Sequence, residues 1–186
     1  MSKISFISAL LATALFGATH GEQSSPLNSF DPKSVDHIVI KMSALSANGD
    51  KSVGEVVAIN TADGVAFFPR LSGLSAPGMH GFHVHTNPDC GSSDKGLGMK
   101  AGGHWDPQNT GKHSFSWDND GHKGDLPALY VDTNGDANYP VLSTKIKNIN
   151  ELKGHSLMVH LGADNHSDSP KPLGGGGARL VCGVIN

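Results

Sequence analysis

Apolar positions in this chain come in short runs, several alternating with polar residues at the two-residue period of strands, and no stretch sustains a 3.6-residue helical period. Eight runs have strand character: residues 36–43, 53–60, 65–71, 79–85, 128–131, 137–142, 157–161 and 178–185. Between them, "ANGD" at 47–50, "TADG" at 61–64 and "TNGD" at 133–136 carry Asn-Gly and Asp-Gly hairpin signals, so neighbouring strands are expected to be antiparallel. Two segments break the rhythm. Residues 86–127 are rich in Gly, Asp and His, and residues 162–177 end in "GGGG". Structureless loops this long in a compact domain are usually functional.

The N-terminus has a different pattern. Lys3 precedes an apolar run over 4–16, followed by Gly17, Ala18 and Thr19, which is the layout of a secretory signal peptide cut near residue 21. Its apolar core of about 13 residues is short of the roughly 20 that cross a bilayer, and no later segment comes close, so no membrane anchor is expected. Residues 22–34 are polar, with Pro26 and Pro32, and read as a mobile leader to a domain over 35–186.

Composition narrows the class. With 24 Gly, 10 Pro and 6% aromatics in 186 residues, one strand-rich domain fits. The formal charge of −3 becomes −4 once Lys3 leaves with the signal, and no basic patch points to nucleic acid. Two cysteines, Cys90 and Cys182, in an exported chain point to one disulfide, with two buried thiols as the other reading. On the chain-entropy model, closing so long a loop contributes roughly 4–5 kcal/mol.

The histidines carry the chemistry. In "GFHVH", His83 and His85 share one face of a strand while Phe82 and Val84 point the other way, into the core. An exposed polar face gives the same spacing, but His104, His113, His122 and Asp125 follow in the Gly-rich loop and His160 ends a later strand. Three imidazoles with one carboxylate suit tetrahedral zinc. An all-imidazole set suits copper. His80 reads as a satisfied structural histidine; His37, His155 and His166 read as surface residues, or as recruits for a further metal or a haem.

"GFHVH", "GGHWDP", "GKHSF", "GHKGDLP", "MVHLGADN" and "GGARLVCGV" occur in that order, and residues 35–186 resemble the copper,zinc superoxide dismutases, in detail the bacterial periplasmic branch. The resemblance implies an all-β fold, an eight-stranded antiparallel Greek-key barrel or flattened sandwich with two long functional loops. It implies one copper per subunit on His83, His85, His104 and His160, and one zinc on His104, His113, His122 and Asp125. Asp164 would link a copper histidine to a zinc histidine, Cys90 and Cys182 would pair, and Arg179 would lie over the copper. The implied substrate is superoxide and the implied compartment the periplasm, with His104 and Arg179 as the catalytic residues. A copper and zinc store without turnover is the alternative, and a homodimer is left open. The loop before Arg179 holds only Lys171 as a cation, so longer-range steering is expected from Lys95 and Lys100 in the insertion "GSSDKGLGMKAG".

Overall fold

The computed structural model describes residues 31–186. The signal peptide expected over 1–21 and the leader as far as residue 30 lie outside the described residues.

Within them the chain forms β1 (His37–Ala44), β2 (Lys51–Asn60), β3 (Val65–Leu71), β4 (Gly78–His80), β5 (Phe82–His85), β6 (Leu129–Val131), β7 (Val141–Ser143), β8 (His155–His160) and β9 (Arg179–Ile185). Every ladder is antiparallel. Seven strands pair in the order β5-β8-β9-β1-β2-β3-β7, and β4 pairs with β6. The sequence-adjacent strands β1, β2 and β3 form a meander, while long connections bring β8 and β9 back beside β1, giving the expected Greek-key barrel.

One expected strand is divided. Residues 79–85 read as a single run, yet β4 pairs with β6 and β5 with β8, with Gly81 at the break. Gly81 donates its N–H to the Gly162 carbonyl at 2.9 Å, and its own carbonyl accepts from the His160 N–H at 2.8 Å. A Cβ at this position would lie 2.9 Å from Cε1 of His83, so only glycine lets the chain cross from one sheet to the other here. The "TNGD" signal also differs from expectation. Asp132 and Asp136 close the turn with an N–H···O bond of 2.8 Å, but β6 before it pairs with β4 and Ala137 after it pairs with Leu71. The turn therefore joins two sheets and is not a hairpin between partners.

Alternation sets what is buried. Phe82 and Val84 enter the core with Ile40, Met42, Val56, Phe67, Leu126, Leu129, Leu157 and Val159. Phe67 and Phe82 meet edge to face at 6.1 Å, and each such side chain contributes about 1.5–3 kcal/mol by burial. His83 and His85 on the opposite face are buried too, beneath the long loops. Cys90 and Cys182 form a disulfide with Cα atoms 5.8 Å apart, which fastens the first long loop to β9.

The end of the leader is docked rather than mobile. Pro32–Ser34 form a 3-10 turn capped by Asp31, with Pro32 buried. Asp31 meets Arg70 at 3.3 Å, and Lys33 and Lys41 both meet Glu55 at 2.5 Å. These two lysines hold the Glu55 carboxyl down at about 2. A folded pKa below the unfolded one stabilises above the unfolded value and is lost as pH falls toward the folded value. Metal-free Glu55→Gln should therefore melt below the metal-free parent at pH 7, and the gap should close between about pH 4.5 and 2. A gap independent of pH in thermal melts would refute the linkage.

Candidate metal centre

The first long loop is laid against β5 as if it were a further strand. Trp105 donates its N–H to the Val84 carbonyl at 2.9 Å, Val84 to Gly124 at 2.8 Å, and Gly124 to Trp105 at 2.8 Å. Residue bridges pair His85 with His104 and His83 with Asp125. A core strand with fixed alternation thus brings loop residues 104 and 125 opposite its two histidines, and His160 arrives from the end of β8.

One ligand atom from each of His83, His85, His104 and His160 lies within 4.8 Å of the others, and all four residues are buried. Their hydrogen bonds fix the tautomers. His85 Nδ1 is 2.9 Å from the Gly102 carbonyl and His160 Nδ1 is 3.1 Å from the Gly177 carbonyl. A carbonyl only accepts, so both Nδ1 atoms carry the proton. Burial pushes the His85 pKa well below its ordinary value and that of His160 down to about 4, so both rings are neutral and both Nε2 atoms are bare. Those two bare nitrogens face each other at 3.2 Å. Two lone pairs so close repel unless a cation lies between them. His83 donates Nε2–H to Asp164 Oδ2 at 2.7 Å, which leaves its buried Nδ1 without a partner. His104 Nε2 is likewise buried and unpartnered. Buried polar atoms are rarely left so. An imidazole-binding cation is what this donor set fits.

A second set gathers on Asp125. Nδ1 of His104, His113 and His122 lie 2.9, 2.9 and 3.3 Å from its Oδ1. Ligand atoms on a tetrahedral zinc stand about 3.3 Å apart, given bonds of 2.0–2.1 Å, so the three contacts to Asp125 have a spacing zinc accepts, while the set whose ligand atoms all lie within 4.8 Å of one another is His83, His104, His113 and Asp125, without His122. His113 Nδ1 has the distance for an ion pair with Asp125 but not the angle for a hydrogen bond, as expected where both atoms aim at a third point. His104 has one nitrogen in each set. Burial favours the neutral acid of Asp125, but the three histidines outweigh it and hold its carboxyl well below the usual carboxylate range. Burial likewise acts to lower the His113 pKa, while Asp125 and Asp164 together raise it to about 9 without a metal.

Asp164 ties the sets together, accepting from His83 at 2.7 Å and from His113 Nε2 at 2.8 Å. The glycine run makes room for it. Gly174 has φ +69°, and a Cβ there would lie 1.9 Å from Asp164 Oδ1 and 2.8 Å from His113 Nε2. Arg179, half-buried and opposite His160 in the β8–β9 ladder, donates to the carbonyls of Gly98 and Gly102, each at 2.5 Å. The Gly102 carbonyl also takes the His85 proton, so one loop residue orients both the guanidinium and a ring.

Sequence reasoning missed Gly102, since a carbonyl acceptor leaves no mark in residue type. It also missed Asp168, whose carboxylate takes the backbone N–H of His113 at 2.9 Å and of Leu173 at 3.0 Å. Its place as the one acid between Asp164 and Arg179 was the available signal. His80 is buried with its two nitrogens on the carbonyls of His160 and Ala76, in keeping with a structural role. His37 bonds the Val35 carbonyl and His155 the Thr86 carbonyl, while His166 lies against Phe115 and 3.8 Å from Asp164. These three are in separate places and do not make one site. Lys95 and Lys100 are exposed on the insertion whose Gly98 and Gly102 hold Arg179.

Such a β-barrel, with an all-imidazole set and an Asp-centred set joined by one ring, defines a class: a metalloprotein with two adjoining sites. The family model for copper/zinc superoxide dismutase matches residues 21–185. A superoxide dismutase [Cu-Zn] of Actinobacillus pleuropneumoniae is 46% identical over 185 residues, covering 94% of this chain and 96% of that protein. The solved Cu/Zn superoxide dismutase from Brucella abortus covers 81% of this chain and all of its own at TM-score 0.76 and 42% identity. The monomeric copper, zinc superoxide dismutase from Salmonella enterica covers the same shares at TM-score 0.70 and 46% identity. The chain belongs to the copper/zinc superoxide dismutase family, oxidoreductases that use copper and zinc.

Gly174→Ala should force Asp164 off His113 and lower metal content after dialysis, whereas Gly103→Ala, whose Cβ would meet nothing within 4 Å, should retain it. Equal metal content in the two variants, read by elemental analysis, would show that the close approach at Gly174 does not matter.

Proposed function

We propose that the chain dismutes superoxide with copper on His83, His85, His104 and His160 and zinc on His104, His113, His122 and Asp125. The observation that carries this reading is the facing pair of bare nitrogens on His85 and His160, joined by the unpartnered atoms of His83 and His104. Bound copper supplies a one-electron acceptor and donor, and bound zinc a fixed positive charge. The protein's part is proton handling and anion capture. Two superoxide anions and two protons give one dioxygen and one hydrogen peroxide. His104 Nε2 is the proton station, protonated when it is not a ligand and delivering that proton to the superoxide being reduced. Its ring cannot swing away, because Nδ1 is fixed on the Asp125 side. Arg179 stays cationic at neutral pH, and its two carbonyl contacts hold it beside His160 to draw in a small anion.

A store without turnover needs neither a ring shared by two sets nor a cation at the rim. Dialysis against a chelator followed by refilling separates the readings. Superoxide consumption should return with copper plus zinc and not with zinc alone, and failure to return under full loading would favour storage.

The signal-like segment, the disulfide and the bacterial relatives support export to the periplasm, with cleavage near residue 21. One subunit contains both donor sets, and the assembly is read by sedimentation.

Steering is assigned to Lys95 and Lys100. On a protein of formal charge near −4, a local positive field raises the on-rate for an anion by about 10-fold or more, and superoxide dismutase is a known instance of such steering. Beyond about 8 Å the attraction is screened at physiological ionic strength. Lys95→Gln and Lys100→Gln should therefore slow the enzyme at low salt and match the parent at high salt, whereas Arg179→Ala should be slow at both. If neither lysine change lowers the low-salt rate, the insertion does not steer; full activity in Arg179→Ala would remove its role.

A further inference from the structure

The loop that supplies His113, His122 and Asp125 is gripped from outside by the segment after β7. Lys145 Nζ donates to the His122 carbonyl at 2.8 Å and to Ser114 Oγ at 3.3 Å. Thr144 Oγ1 donates to the Ser116 carbonyl at 3.3 Å. Ser114 in turn gives its backbone N–H to Asp125 Oδ2 at 2.9 Å. The two arms of the loop cross tightly there, since a Cβ on Gly121 would fall 1.8 Å from Ser114 Oγ. Lys145 is half-buried. Burial lowers the pKa of its ammonium, a shift that Asp125, Asp118, Asp120 and Asp106 oppose only in part.

We propose that Lys145 is a positioning residue for the zinc end of the site, an ammonium latch that holds both arms of the donor loop so that His113, His122 and Asp125 stay converged. The proposal rests on the zinc assignment above. Its logic is that of outer partners of metal ligands, whose loss usually costs 10–100-fold in metal affinity. Two effects of opposite sign compete. A cation near a divalent ion repels it, so if charge were all that mattered, removing Lys145 would slow zinc release. If the latch matters, removal takes the donor from the Ser114 hydroxyl and leaves the His122 carbonyl with only the longer Asp125 N–H contact at 3.3 Å, and the loop opens more readily.

The test follows zinc release from the fully loaded protein to a chromogenic chelator at pH 7, with copper content and the melting temperature of the metal-free form measured alongside. Lys145→Met should release zinc roughly 10-fold faster or more, with copper content and metal-free melting unchanged. Lys145→Arg, which restores charge and donors, should stay within about threefold of the parent. Release from Lys145→Met that equals or trails the parent overturns the latch. So does a metal-free melting temperature that falls as far as the loaded one, since that would mark an ordinary prop of the fold. Should Lys145→Met not fold, Lys145→Gln is too short to reach both acceptors and should also speed release; an unchanged rate there overturns the proposal equally. Asp125→Ala serves as a separate arm. Undiminished zinc in that variant would defeat the zinc assignment itself, whatever Lys145 does.

Discussion

The buried carboxylate of Asp125 is the constraint on which the rest of the centre depends. Three imidazole nitrogens and the Ser114 N–H converge on its two oxygens, and all of those donors belong to one loop. A naked carboxylate with no exposure would be costly to bury, so the loop's histidines must stay near it, with or without a metal. Because His104 is one of them, its other nitrogen is aimed at the neighbouring imidazole set. The geometry of the all-imidazole set is therefore fixed from the Asp125 set.

Strand alternation supplies what the loop cannot. Phe82 and Val84 are locked in the core, and this alone turns His83 and His85 toward the loop. The ladder β5-β8-β9 then lines up His160 and Arg179 as neighbours. Carbonyls of Gly102 and Gly177 and the carboxylate of Asp164 choose which nitrogen of each ring is free. Two backbone carbonyls, for His85 and His160, and two carboxylates, Asp164 for His83 and Asp125 for His104, thus share in setting the protonation pattern that makes four rings into a binding site.

Much of this was legible from residue types and their order. "GFHVH" alternates visibly, Asn-Gly and Asp-Gly mark turns, and the quoted motifs carry their neighbours by resemblance. The division of residues 79–85 at Gly81 was not legible, because a sheet crossing depends on which strands β4 and β5 meet, and both halves read equally well as strand. The docked turn at Pro32–Ser34 was hidden for a related reason: polar residues with two prolines look like free chain until Lys33 finds Glu55, which lies far away in sequence. Lys145 reads as an ordinary surface lysine, and its two acceptors become partners only when the loop folds over it.

The disulfide sets an order of events. Cys182 is in β9, the strand that stands between β8 and β1. Until β9 is in place, β1 and β8 lack their common neighbour and Cys90 has no partner. The loop bearing His104 is thus tethered at Cys90 only once β9 has docked and an oxidant has joined the two sulfurs, so the state of one bond that touches no metal ligand's ring decides how firmly that loop is held.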